Sequence, residues 1–219
     1  MMKIKAIPVC AETLTPFMYH SVPVPSGTAT LPEIIGDRAL AFGLASALGM
    51  ARASVALPTK DYKRDLQAMP WRTSVLTTTT PKLLPPLVRR LNLDEEGGFP
   101  RSLQDTVKKG NLATYFLTQE VPPGVTFSGV IFGLEGFDPF RAAGRDKLVI
   151  RIGLHRNGMA RLTQVETVPE IFLNAATAKL FGQDLRVARY LLHELQLTPG
   201  MSPDEAVENV RHWQDEIPV

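Results

Sequence analysis

Between Lys147 and His155 the chain alternates residue by residue. Leu148, Ile150, Ile152 and Leu154 take turns with Lys147, Val149, Arg151, Gly153 and His155. A period of two puts these sets on opposite faces of a β-strand. Asn157-Gly158 supplies a two-residue turn signal, so Met159 to Val168 reads as the returning strand of a hairpin. Residues 3–9 alternate too, with Ile4, Ala6 and Pro8 on one side and Lys3, Lys5, Ile7 and Val9 on the other. Proline cannot donate to a ladder, so Pro8 predicts an edge strand or a bulge. Asn111 to Val121 and Val125 to Leu134 read as a second hairpin turning at Pro122-Pro123-Gly124, and Ser74 to Thr80 as a strand of β-branched residues.

Helical patterns separate these strands. Pro32 at a first helical position and Glu33 in the first turn open a helix to about Met50, apolar on nearly every face after Arg38 and therefore packed on a sheet. Further helices are predicted at about 170–181 and 184–197, and the last opens with the capping box Ser202-Pro203-Asp204-Glu205. Thr15 to Thr30 reads as a Pro-broken loop exposing Phe17, Tyr19 and His20. Residues 52–72 read as a projecting basic loop or hairpin, and 81–110 as an irregular connection with at most one short helix around Val88 to Leu93. The expected class is α+β.

Composition narrows the chemistry. The 219 residues, 44% of them hydrophobic, suit one domain or one domain with an appendage. With Cys10 as the single cysteine and no cysteine/histidine cluster, a disulfide scaffold, a zinc finger and an iron–sulfur protein are excluded, and no cofactor is expected. The longest apolar run, Ala39 to Ala51, falls short of the ~20 residues that span a bilayer. No secretory core follows Met1 to Lys5, so a cytoplasmic protein without a membrane partner is expected. The phosphate-cradling, nucleophile-elbow and HExxH metalloprotease motifs are absent from the sequence. Cys10 has no base near it in sequence, His193 and His212 read as surface side chains, and His20 and His155 have no metal-ligand spacing.

Charge is where the sequence becomes informative. The formal net charge of +2 divides into −4 on the tail, from Asp204, Glu205, Glu208, Asp215 and Glu216 against Arg211, and +6 on residues 1–203. Arg141, Arg145, Lys147, Arg151, Arg156 and Arg161 against Asp146 concentrate +5 within residues 141–161. Period two aligns Lys147, Arg151 and His155 on one strand face with Gly153 between two of them, and places Arg156 and Arg161 at the hairpin tip. A second basic segment holds Arg52, Lys60, Lys63 and Arg64, with Tyr62 and Trp71 interleaved. Cations that meet phosphates, beside aromatics that stack on bases, are what a single-stranded RNA requires. The competing reading is a solvated outer face of an antiparallel sheet.

The order of these elements resembles a RAMP-superfamily protein: a strand, a Pro-rich loop, the helix around Ile35-Gly36-Asp37-Arg38-Ala39-Leu40 ending in Ala47-Leu48-Gly49, a basic excursion, and Ile150-Arg151-Ile152-Gly153 leading into a basic hairpin. The likeness is to the subunit that caps the guide-RNA 5′ handle in type I CRISPR Cascade complexes, in particular the type I-D-like branch, and it spans most of residues 1–168. It implies a ferredoxin-like or RRM-like antiparallel sheet over 1–168 with a projecting basic thumb at 52–72, followed by a C-terminal helical extension over 169–219. It further implies a crRNA-binding, non-catalytic ribonucleoprotein subunit in antiviral defence, with the large subunit and the backbone subunit as partners. On this resemblance the RNA-binding residues are Lys60, Lys63, Arg64, Trp71, Arg141, Arg145, Lys147, Arg151, Gly153, His155, Arg156 and Arg161. Some members of the superfamily cleave precursor guide RNA without metal, for which Tyr19, His20 and Lys63 are the available acid–base groups. The glycine-rich C-terminal loop of the dedicated processing endonucleases is absent, so catalysis is the secondary expectation.

Overall fold

The computed structural model describes residues 3–19, 21–25, 27–50, 61–90, 115–153 and 158–214. In order, the elements are β1 (Ile4–Thr13), β2 (Ser21–Val24), β3 (Gly27–Thr30), β4 (Ile34–Ile35), α1 (Asp37–Ala47), α2 (Tyr62–Gln67), β5 (Trp71–Thr73), β6 (Leu76–Thr77), β7 (Leu87–Arg90) and β8 (Tyr115–Gln119). They continue with β9 (Thr126–Leu134), α3 (Pro139–Ala143), β10 (Lys147–Ile152), β11 (Gly158–Gln164), α4 (Ala175–Ala178), β12 (Arg189–Leu192), β13 (Leu195–Leu197) and α5 (Pro203–Arg211). Short 3-10 turns follow α4 at Lys179–Phe181 and α5 at His212–Gln214. The architecture is mixed α+β, dominated by antiparallel sheets. The main sheet has the order β10-β11-β1-β9-β6-β4 with β5 also paired to β9, and a second sheet has the order β2-β3-β8-β7.

β1 is the hub of the main sheet, paired antiparallel with β11 and with β9. Pro8 is accommodated because the β11 ladder begins only at Val9, opposite Gln164. The Pro8 carbonyl accepts from Val165 N–H at 3.0 Å, which turns the missing Pro8 donor to the side where that ladder stops. The expected edge position thus exists locally, at the N-terminal half of a central strand. Ile7, Val9 and Ala11 point to one face and are buried, together with Phe127 and Ile131 of β9, Ala160 and Leu162 of β11, and Leu148, Ile150 and Ile152 of β10.

α1 covers that face. It starts at Asp37 rather than at Pro32, because Ile34 and Ile35 are drawn into pairing with β6 and Gly36 is still extended. A Cβ on Gly43 would lie 3.2 Å from the Arg151 carbonyl oxygen and 3.3 Å from Ile150 Cβ, so the missing side chain sets how closely α1 approaches β10. The predicted strand at Ser74 to Thr80 is replaced by β5 and β6, two short pieces along β9. Between them the Ser74 hydroxyl accepts from Val130 N–H at 2.8 Å, and Val75 turns out to bridge Phe172.

The basic β10–β11 hairpin forms as expected, although its pairing ends at Ile152 and Gly158, so Gly158 is a strand residue and the connection is longer than two residues. The strands expected across Pro122-Pro123-Gly124 also form, but do not pair with each other: β8 joins β3 and β7, and β9 joins β1. Two consecutive prolines offer no N–H to a ladder. The chain crosses there from one sheet to the other, held by Gly124 N–H on the Thr13 carbonyl at 2.8 Å. Thr15 to Thr30 is not a plain loop, since β2 and β3 pair within it and Phe17 is 1% exposed. Val88 belongs to strand β7 rather than to a short helix; residues 91–93 lie outside the described residues.

The helix predicted at 184–197 is instead the hairpin β12–β13. Leu195 and Leu197 alternate inward and pack with Ile34 and Val75, while the Asn174 side chain accepts from Gln196 N–H and donates to the Glu194 carbonyl. The segment expected to be helical over 170–181 is helical only from Ala175, where Asn174 caps it. α5 matches the expectation, with Ser202 and Glu205 making both bonds of the capping box.

Candidate nucleic-acid interface

Opposed residues in an antiparallel sheet share a face. The registers around β1 therefore fix what the uncovered face presents. One row across it runs Lys147, Thr163, Cys10, Ser128, and the next runs Val149, Arg161, Glu12, Thr126. A third begins with Arg151 and Met159. Lys147, Val149 and Arg151 are exposed while Leu148, Ile150 and Ile152 between them are buried, so the period-two reading of β10 holds residue for residue. Lys147 and Arg151, four residues apart on one face, are about 13 Å apart along the strand.

This outer face is open only in part. At the β5 end Arg72 shares it with Phe132, and the Arg72 guanidinium lies 4.9 Å from the centre of Phe181, whose ring stacks on Trp213 at 5.6 Å. The C-terminal segment therefore lies over that end. The strip over β10, β11 and the second half of β1 remains, with Val149 50% and Met159 39% exposed beside the cations. These two apolar residues and Glu12 escaped the sequence reading. Val149 was visible in the alternation as an outward position, but Glu12 came into register only because β1 runs on to Thr13.

The expected site residues divide. Lys147 and Arg151 stand on the open strip. Arg161 does too, mid-strand rather than at the tip, and it is ion-paired to Glu12, which offsets its charge. Gly153 has φ +85° just past β10, so it starts the turn, and its lack of a side chain serves that conformation rather than a ligand's approach to the strand. Arg141 and Arg145 lie on and just after α3, both exposed. Lys60, His20, His155 and Arg156 lie outside the described residues, as do residues 52–60 of the thumb candidate.

The rest of 52–72 is not a projecting loop. Lys63 and Arg64 sit on α2, whose Tyr62 packs edge-on against Phe42 of α1 at 5.9 Å, so they stand at the opposite edge of the sheet from β10. Lys63 is exposed, and Arg64 pairs with Asp65 at 2.8 Å. Trp71 is 0% exposed and stacks on Phe137 at 5.5 Å, which removes it as a platform for a base. Its indole belongs to the core because β5 is an inner-facing strand of the main sheet.

The groups set around Tyr19 are Tyr62, Asp37, Arg38 and Glu194. Burial, then the neighbouring Tyr62 and Asp37, push the Tyr19 phenol up to about 12, so it stays protonated at neutral pH. Cys10 on the outer face has its thiol pushed up by burial and by Glu12, which makes it a poor nucleophile. No helix among the described residues is long and apolar enough to cross a membrane. In comparisons with known proteins, no family model matches the sequence and no curated protein matches it.

Proposed function

We propose that the chain is a non-catalytic RNA-binding subunit of a ribonucleoprotein, of the RAMP kind that holds the crRNA 5′ handle in a CRISPR Cascade complex and contacts its large and backbone subunits. The open strip of the main sheet carries this reading, with Lys147 and Arg151 beside the exposed Val149 and Met159 on a regular strand. Cations spaced along a strand meet successive phosphates, and the apolar pair offers a surface for a base where no aromatic is available. The strand order supports the same reading. β11-β1-β9-β5, with α1 following β1 and α3 following β9, is the order of a ferredoxin-like sheet, whose helices share one face and leave the other free for a ligand.

Cleavage of the bound RNA is the weaker reading, because a phenol held protonated by burial is a poor general base. The deciding experiment incubates the full chain with labelled single-stranded repeat RNA in chelator. Saturable binding without cleavage, weakened by Lys147→Ala with Arg151→Ala, is the expected result. Specific cleavage in chelator would establish the nuclease instead. Absence of binding at low salt would overturn the RNA reading altogether.

A further inference from the structure

We propose that the strand of RNA bound on the outer face leaves it at the Lys147 end and seats one nucleotide unit, through its phosphate, in a groove beside α3. The inference rests on the RNA-binding reading and adds a second subsite to it. The groove, of about 530 Å³, is lined by Lys5, Arg141, Arg145, Asp146, Thr163 and Gln164 among others. That volume falls within the ~300–1,000 Å³ typical of small-ligand sites. Its origin is topological: β11 ends at Gln164 while β1 runs back to Ile4 with only β9 beside it. The notch this leaves is walled by the turn from α3 to β10, where Gly144 takes φ +61°.

Electrostatics favour an anion there. Asp138 is 4% exposed and already fully engaged. One oxygen accepts from Phe140 and Arg141 N–H at 3.0 and 3.2 Å, and the other accepts from Lys5 Nζ at 2.6 Å. Arg141 is 84% exposed and reaches Asp138 only at 4.0 Å. Arg145 has no carboxylate partner among the described residues, and the groove's other acid, Asp146, is exposed on its rim. Two guanidinium groups thus border the groove, and such planar donors match phosphate oxygens in pairs.

Continuity ties the groove to the face. Thr163 stands directly opposite Lys147 in the β10–β11 register and lines the groove as well. A backbone tracking Arg151 and Lys147 therefore meets Arg145 and Arg141 next, without crossing an acidic barrier other than the exposed Asp146.

The test measures fluorescence anisotropy of labelled oligouridylates of increasing length over a series of salt concentrations, on the full chain. The pairs compared are Arg141→Ala/Arg145→Ala, Arg141→Lys/Arg145→Lys and Lys147→Ala/Arg151→Ala, each checked for folding by circular dichroism. The alanine pair at the groove should weaken long oligomers several-fold and lower the salt slope by about 1.4, at ~0.7 per lost phosphate contact. The shortest oligomer that binds should be unaffected, and the lysine pair should restore most of the slope. If the groove alanine pair leaves long oligomers unchanged while Lys147→Ala/Arg151→Ala weakens them, the groove subsite is overturned and the RNA reading stands. If no oligomer binds the unaltered chain, both are overturned.

Discussion

Trp71 and Arg151 were read from the same kind of signal, a residue type suited to RNA, and the structure separates them. Arg151 belongs to an alternation that identifies its face, whereas Trp71 sits where no period survives, so nothing in the sequence told its burial. At 0% exposure and stacked on Phe137, Trp71→Ala should cost roughly 3–5 kcal/mol, read as a lower midpoint in urea unfolding. Two buried carboxyls give a further check with opposite signs. Burial raises the Asp37 pKa, and the bonds from Thr177 and Asn174 only partly offset it. The folded protein therefore holds the Asp37 proton more tightly than the unfolded chain, and its stability contribution is lost as pH rises through the raised value. Asp138 is the reverse. Burial alone would raise it, but the Lys5 ammonium and the Arg141 and Phe140 N–H groups hold it below the usual carboxylate range. Its contribution is present above the unfolded value and lost as pH falls through the lowered one. Thermal midpoints against pH should thus lose their fall on the alkaline side of pH 3.8 in Asp37→Asn, and their fall on the acid side in Asp138→Asn. Unchanged profiles in both variants would refute the assignment.

At the level of elements, what was legible was what local chemistry decides. The capping box at Ser202 needs only four consecutive residues and their backbone, and α5 begins where it says. Ser202→Ala should remove about 1 kcal/mol of stability, with amide exchange in the first turn of α5 rising ahead of the rest. The β10–β11 hairpin was legible because alternation and turn agreed. The helix expected at 184–197 failed for the complementary reason: Leu185, Ala188, Leu192 and Leu195 do recur at helical spacing, but the chain satisfies its backbone through Asn174 and buries Leu195 and Leu197 against Ile34 and Val75. Those partners are more than a hundred residues away in sequence, so no window around 184–197 contains them. Asn174 also donates to Asp37 at 2.8 Å, so Asn174→Ala should loosen β13 and the start of α1 together. Hydrogen exchange that speeds up at Gln196 but not around Asp37 would contradict that coupling.

For the molecule as a whole, the sequence presented two basic segments that read as parts of one RNA surface, and the sheet order assigns them to opposite edges. Four interstrand steps separate β10 from β5, beside which α2 carries Lys63 and Arg64. At about 4.8 Å per step that is roughly 19 Å, around twice the screening length of ~8 Å at physiological ionic strength. The near ends cannot reinforce each other through the field, and a short oligonucleotide cannot touch both. Moreover, the Phe181–Trp213 stack lies over the outer face between them. A short single-stranded RNA should therefore lose affinity and salt slope in Lys147→Ala/Arg151→Ala, by up to about 1.4 for two phosphates at ~0.7 each. Lys63→Ala should leave that RNA unaffected at every salt concentration, as should Arg186→Ala, an exposed cation before β12 that serves as the control. Equal losses from Lys63→Ala and Lys147→Ala/Arg151→Ala on the same short oligomer would mean that the RNA lies across the helix side of the sheet rather than on the open strip.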